Sequence, residues 1–401
     1  MAGLKRTDTQ MRRLLHNNIV IILLSVLFGI LLGECASEQL ISGLVLVVRD
    51  VSSQVIFFLV PLIVLAFVAS AVTSLQGNAT RLFLFAFAVA YASGVMSALF
   101  SLLLSHVVVP LLAPVGGAPE ARPLPEALFS FSIPPLMNVI SALFLAVLLG
   151  LGTAWTKARA MSAVLVEFRE IMLLLVRRVL LPVLPAYVAA NFCVMAWQGS
   201  LGRLAVFLPV IGVVVVAHLV WIVVLYGLAS LYSRRNAFEI LSHYARAYLT
   251  ALGTMSSAAT LGVALDCAGR SRVLRRDVSG FTIPLFANIH LCGATLTEVF
   301  FLSVVSVLLY GRMPDATTFA LFIVLLGVFA VGAPGVPGGT AFASVGIVVS
   351  VLGFGDDGTA LFLALFALQD SFGTGCNILG DGALSLIVQT YGDRNLRSSG
   401  G

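Results

Sequence analysis

The stretch DGTALFLALFALQDSFGTGCNILGDGALSLIVQTY, residues 357–391, is apolar for most of its length yet carries Asp370, Thr374, Asn377 and Asp381. At about 100° per residue of helix these four positions fall at roughly 0°, 40°, 340° and 20°, one narrow stripe. Asp370 and Asp381 then lie about 16 Å apart along the axis, at ~1.5 Å of rise per residue. Acids inside an apolar span are costly unless they face a cavity, a cation or a partner, and they are functional candidates by default. A stripe that only hydrogen-bonds neighbouring helices is the structural alternative. The reading adopted is a polar site where a solute and a cation meet.

Composition sets the surroundings of that stripe. Of 401 residues, 60% are hydrophobic and only 10% charged, with a mean hydropathy of +1.07. A soluble domain carries about 25% charged residues, so the class is a polytopic membrane protein. The pI near 9.1 does not call for nucleic acid, because the basic residues sit in loops and topology accounts for them. Cys35, Cys193, Cys267, Cys292 and Cys376 lie in or beside apolar stretches without paired spacing, which argues against disulfides and zinc. The basic N-terminus leads into an apolar run with no clear cleavage site, and is read as an uncleaved first span.

Segments long enough to span, about 20 residues each, fall at 17–33, 44–75, 81–113, 128–152, 179–198 and 202–232. The second and third exceed a perpendicular crossing and predict tilt or bending. Between the fourth and fifth, residues 161–178 interleave Glu167, Arg169, Glu170, Arg177 and Arg178 with apolar residues, predicting an amphipathic helix lying at the interface. Pro110–Pro125 reads as an outer loop. With the N-terminus inside, Lys5, Arg6, Arg12, Arg13, Arg81, Lys157, Arg159, Arg234, Arg235 and the Arg270–Arg276 cluster are cytoplasmic, leaving Arg49, Arg122, Arg203 and Arg312 outside. That asymmetry favours cytoplasmic N- and C-termini.

After Tyr232 the pattern changes. Residues 238–265 have a soft middle, Gly253 to Gly262, rich in Gly, Ser, Thr and Ala, which suits the tip of two short antiparallel helices. A span then runs from Ser279 to Tyr310. Residues 317–330 and 340–353 flank GAPGVPGG (332–339), whose two prolines and four glycines cannot sustain a helix. Non-helical backbone at membrane depth survives only when shielded by protein or lining a cavity. Two interrupted hairpins at matching positions in two halves point to a transporter site, although such breaks serve channels too.

Four stretches carry a resemblance: LTALGTMSSAATLG (249–262), GFTIPLFANIHLCGATL (280–296), GAPGVPGG (332–339) and DSFGTGCNILGDGALSLIV (370–388). In order and spacing they resemble the glutamate transporter family, the dicarboxylate/amino acid:cation symporters. The resemblance is specific from about Phe238 onward; the first half agrees in span count and interfacial helix only. It implies an all-α polytopic membrane protein of eight transmembrane helices plus two re-entrant helical hairpins, with inverted repeats and an elevator-type transporter fold. Residues 1–232 would supply scaffold and part of the moving domain, and residues 233–401 the binding core. It further implies a homotrimer in contact with membrane lipid, in a bacterial cytoplasmic membrane.

By the same resemblance Asp370 holds a substrate amino group, Asn377 the substrate α-carboxylate, and Asp381 with Asn377 a sodium ion. Thr374 faces the substrate, Ser256 and Ser257 belong to the first tip, and Val336, Pro337 and Gly338 form the second tip, the gate. The departures are informative. The family's asparagine–methionine–aspartate–glycine run reads His290-Leu291-Cys292-Gly293 here. Up to two oxygen-bearing side chains near the sodium sites are lost, and neither imidazole nor thiol is a good ligand for a hard cation. Asp381, Asn377, Asn288 and backbone carbonyls remain. The arginine that pairs with an acidic side chain falls on Gly373, and Met255 stands where some relatives have another arginine.

A neutral amino acid or small zwitterion is therefore expected over glutamate or aspartate, unless Arg246 or Arg81 supplies the missing charge. Coupling is expected to shift wholly or partly from sodium to protons. Glu298 falls on a position that is glutamate in proton-moving members, and His290 is titratable near neutral pH; both being hydrogen-bonded core groups is the plain alternative. A channel, or a relative impaired in transport, is the alternative function. An intramembrane aspartyl protease does not fit, since Asp370 and Asp381 are too far apart to share a proton. No metalloprotease, hydrolase or phosphate-binding motif supports another enzyme class.

Overall fold

The computed structural model describes residues 18–74, 81–112, 124–129, 133–199, 207–333 and 337–395. Every element among them is helical. The first half supplies α1 (Asn18–Cys35), then a turn of helix and a π turn (Ile41–Val45) leading into α2 (Leu46–Ser74). It continues with α3 (Arg81–Leu112), α4 (Val139–Thr156), α5 (Arg159–Leu175), α6 (Leu181–Trp197) and α7 (Phe207–Ser233). α2 and α3 would measure about 43 and 48 Å at ~1.5 Å per residue, well beyond the ~30 Å of a hydrocarbon core. Pro61 and Pro110 lie inside them, each removing one backbone hydrogen bond.

Three expectations change here. The fourth apolar segment becomes helical only at Val139, because Pro134 and Pro135 exclude a regular helix before it and Asn138 caps it, its Oδ1 accepting from Ser141 N at 2.7 Å. Pro110 is not in a loop; α3 runs through it to Leu112. And α5 is not a separate interfacial helix, since a π turn at Val176–Leu180 carries the chain without a break into α6.

The second half begins with α8 (Phe238–His243), α9 (Ala245–Thr254) and α10 (Ser257–Ala268). α9 and α10 form the first hairpin, turning at Met255, whose φ of 49° is left-handed, and at Ser256, which caps α10. The Glu239 carboxylate ties the base of this hairpin to the following loop, accepting from Ser271 Oγ at 2.5 Å, Arg272 N at 3.1 Å and His243 Nε2 at 3.1 Å. Burial alone would raise its pKa, but these hydrogen bonds hold it below the usual carboxylate range. Next come α11 (Arg276–Ile289) and α12 (Cys292–Tyr310), separated by His290 and Leu291 in non-helical conformations. The second hairpin is α13 (Ala316–Gly332) and α14 (Gly339–Ser350), and the chain closes with α15 (Asp356–Asn395), 40 residues without interruption.

Among the described residues five helical runs are long and apolar enough to cross a membrane: Glu38–Ser70, Arg81–Leu111, Arg159–Trp197, Pro209–Ser233 and Arg276–Tyr310. α15 is not one of them, because Gln369, Asp370, Asn377 and Asp381 interrupt its apolar length. Its two ends are fixed. At one, Arg49 reaches Asp357 at 3.4 Å and Tyr187 Oη donates to Asp356 O at 3.2 Å. At the other, Arg275 pairs with Asp393, Gln389 accepts from Arg275 N at 2.7 Å, and Arg394 donates to Tyr232 O at 2.8 Å.

The main hydrophobic core draws on both halves, with its longest fully buried runs in the second. Residues 292–306 of α12 and 339–348 of α14 are all buried. α12 and α15 cross almost backbone to backbone: a Cβ on Gly293 would stand 2.4 Å from Gly373 O and 2.6 Å from Cys376 Cβ. Neither neighbour can swing aside, so Gly293→Ala must separate the helices, at a cost of about 1–3 kcal/mol or more. A lowered thermal midpoint in detergent is the expected outcome. Gly212→Ala on α7, where nothing lies within 4 Å, should melt with the wild type.

Candidate functional site

The polar stripe of α15 is buried throughout: Asp370 is 6% exposed, Thr374 4%, Asn377 3% and Asp381 0%. Its members serve two different places. Asp381 and Asn377 face the break between α11 and α12, while Asp370 faces the second hairpin.

At the break, His290 is fully buried and both ring nitrogens are engaged. Nδ1 is 2.9 Å from Asp381 Oδ1 and Nε2 is 2.9 Å from Ser93 Oγ on α3. The carboxylate accepts from Nδ1–H, and the serine hydroxyl complements whichever state the other nitrogen has. Asn377 Oδ1 accepts from Gly293 N at 2.7 Å, satisfying one of the amides that the start of α12 leaves open. Ser97 Oγ donates to Cys292 O at 2.9 Å and lies 2.8 Å from Thr295 Oγ1. One turn on, His218 Nε2 sits 3.0 Å from Gly293 O and 3.1 Å from Thr297 Oγ1, which also donates to Gln369 Oε1 at 3.0 Å. Helices α3, α7, α12 and α15 thus converge on one buried polar network.

A sodium ion at Asp381 and Asn377 can be tested against this geometry. Asp381 Oδ2 is buried and without a partner among the described residues, which is one available ligand. Asp381 Oδ1 is taken by His290 and Asn377 Oδ1 by Gly293 N. Asn288 does not join them; it is exposed and its amide donates to Pro284 O at 2.8 Å. One free carboxylate oxygen is far from the six or so oxygens a hard cation takes, so in this arrangement the side chains alone do not fit sodium. Cys292 and Cys376 are buried beside the break, yet among the described residues no three His, Cys, Asp or Glu side chains converge to hold a metal.

Glu298, eight residues past His290, is fully buried on α12. Its Oε2 accepts from Ser344 Oγ of α14 at 2.5 Å, and its Oε1 has no partner among the described residues. The second hairpin is therefore tied to the core by a carboxyl group.

Asp370 is bound differently. Its Oδ2 accepts from the backbone N–H of Gly338 at 2.7 Å, at the elbow where the second hairpin turns with a left-handed φ of 71°. Beside it opens a cavity of about 510 Å3, lined by Asp370 and Ala367 of α15, Met255 of the first elbow, and Pro337 and Gly338 of the second. Ile21, Ile22, Arg177, Leu181, Pro182, Leu184 and Pro185 of the first half close it. A second cavity of about 530 Å3 lies on the other side of Arg177 and takes in Ala258, Asn288 and Gly332. Ser256 caps α10 and Ser257 is buried; neither lines the first cavity among the described residues, nor does Thr374. Val336 lies outside the described residues.

Residues 19–391 match the family model described as the sodium:dicarboxylate symporter family. The chain belongs to this family. Among curated relatives it is 30% identical over 167 residues to excitatory amino acid transporter 3 of Bos taurus and, equally, of Homo sapiens, covering 41% of this chain and 31% of each relative. It is 29% identical over 167 residues to the human neutral amino acid transporter B(0), covering 41% of this chain and 30% of that one. The matched part is thus under a third of these relatives' length. This family member is an integral membrane protein, and its relatives are transporters rather than enzymes.

The sequence reading missed Ser93, Ser97, His218, Gln369 and Ser344, which complete the network, and gave Arg177 to the interface. Arg246, named as a candidate substrate cation, instead pairs with Asp266 at 3.4 Å on an exposed face of the first hairpin.

Proposed function

We propose that this chain is a secondary active symporter that moves an amino acid, neutral in preference to acidic, by alternating access, coupled to a cation. The observation that carries the reading is the buried Asp370 carboxylate beside both hairpin elbows, lining a cavity of about 510 Å3, with ample room for an amino acid. A carboxylate suits an ammonium group. Arg177 is the one arginine lining that cavity among the described residues, so a solute with two carboxylates would leave at least one of them desolvated without a partner there. Residues 233–401, carrying both elbows and α15, are inferred to move against the first half; the eight-span elevator arrangement, the homotrimer and the bacterial inner membrane rest on the resemblance, and the cytoplasmic termini on the Lys and Arg asymmetry.

For the coupling ion, the incomplete oxygen set at Asp381 argues for protons in whole or part. Glu298 supplies a buried carboxyl that bonds the second hairpin through one oxygen and keeps the other free. Uptake into proteoliposomes tests both points. Radiolabelled neutral amino acid should accumulate in sodium-free buffer under an inward proton gradient, and neutral amino acids should compete better than succinate or L-aspartate. Tight L-aspartate uptake that neutral amino acids cannot displace overturns the substrate. Strict sodium dependence with no response to a proton gradient overturns the coupling, and flux without accumulation overturns symport itself.

A further inference from the structure

We propose that the His290 imidazole stands in the coupling cation's place beside Asp381, and that this one side chain sets the protein's ion selectivity against sodium. The proposal deepens the reading of the coupling ion and rests on the break between α11 and α12 being where a cation would lodge. The family is described by sodium, and the break holds a carboxylate with 0% exposure whose Oδ2 has no partner among the described residues. A buried carboxylate oxygen left over in this way marks a position built for positive charge. What meets the other oxygen of that carboxylate is a ring belonging to the chain itself.

Three observations describe how the ring fills that place. Its Nδ1–H points at Asp381 Oδ1 and its Nε2 lies against Ser93 Oγ, each at 2.9 Å, so a donor hydrogen faces the oxygen that a cation needs. The ring is pressed against α15: a Cβ on Gly380 would stand 2.7 Å from His290 Cε1, which leaves no space for an ion between ring and helix on that side. And the other oxygens of the break are already served by the chain. Cys292 O lies 2.9 Å from Ser97 Oγ and 3.1 Å from Thr295 Oγ1. Gly293 O accepts from Thr297 Oγ1 at 2.9 Å, and Asn377 Oδ1 accepts from Gly293 N at 2.7 Å. Sodium would reach both oxygens of Asp381 only by displacing a ring that is tethered to the backbone.

It follows that shortening the side chain at position 290 should open a sodium site. H290N removes the ring, frees Asp381 Oδ1 to join Oδ2, adds an amide oxygen, and leaves a gap between Asp381 and Ser93 whose oxygens water can supplement around a hard cation. Full-length protein in nanodiscs tests this by thermal melting in sodium chloride against choline chloride at equal ionic strength, and by equilibrium binding of radioactive sodium. H290N should bind sodium about tenfold or more tighter than wild type and show a saturable rise in melting midpoint that wild type lacks. H290N/D381N should lose both gains. H290S leaves a larger gap with a hydroxyl in it, and gives the reading if H290N does not fold. A failure of both H290N and H290S to gain sodium binding overturns the assignment. Sodium bound by wild type and abolished in D381N overturns it without either variant. Uptake plays no part in this readout, so the assignment and the symport reading fail separately.

Discussion

His290→Ala is expected to cost about 3–5 kcal/mol of stability, the usual penalty for leaving a buried carboxylate without its partner. Asp381 is 0% exposed, its Oδ1 is bonded to His290 Nδ1, and its Oδ2 already lacks a partner among the described residues. Alanine would strand both oxygens in a core with no exposure to bulk solvent, and Ser93 Oγ would lose its imidazole contact as well. Replacing both members by leucine should recover most of the loss, since an apolar pair removes the carboxylate instead of isolating it. Thermal melts in detergent, followed by tryptophan fluorescence, compare the single and double variants. A single variant that melts within about 1 kcal/mol of wild type, or a double variant no better than the single, would show that the imidazole is not what keeps Asp381 in place.

The same region shows what sequence could convey. The elbows at Met255–Ser256 and Pro337–Gly338 were legible because the Gly, Ser and Pro around them favour leaving the helix for local reasons that burial does not alter. The stripe on α15 was legible because its period is that of the helix. Its division between two places was not, since that depends on which helices pack against each end. Ser93, Ser97, Ser101 and Ser105 recur every four residues along α3 and are all buried. That spacing was visible, but a serine in an apolar span satisfies itself on its own helix so readily that the pattern carries little weight alone. His218, one imidazole in the long apolar run of α7, was the stronger overlooked signal. Pro134 and Pro135 were underweighted beside the apolar residues around them. The π turn at Val176–Leu180 leaves no mark in the sequence, and it sits where α5 runs into α6. Arg177 consequently read as one more interfacial charge.

Asp370→Asn separates the solute role of this carboxylate from its structural one. The amide oxygen can still accept from Gly338 N–H, now made at 2.7 Å, so the elbow should stay docked and the melting point should move by about 1 kcal/mol or less. What disappears is the negative charge facing the cavity. Truncating one side of a buried charge pair costs about 2–5 kcal/mol, which corresponds to a loss of roughly thirtyfold to several-thousandfold in affinity for an ammonium-bearing solute. The acid counterpart of that solute, having no ammonium, should bind the variant at least as well as the wild type. Because Asp370 bonds the elbow through one oxygen and meets the cavity with its other, a bound ammonium and a closed elbow would share one carboxylate, and each would favour the other. The variant should then also lose the solute's protection of the 332–339 segment from proteolysis, even at concentrations that saturate residual binding. Unchanged affinity with a normal melt would place the solute elsewhere, and unchanged protection would mean that elbow and ligand do not communicate through Asp370.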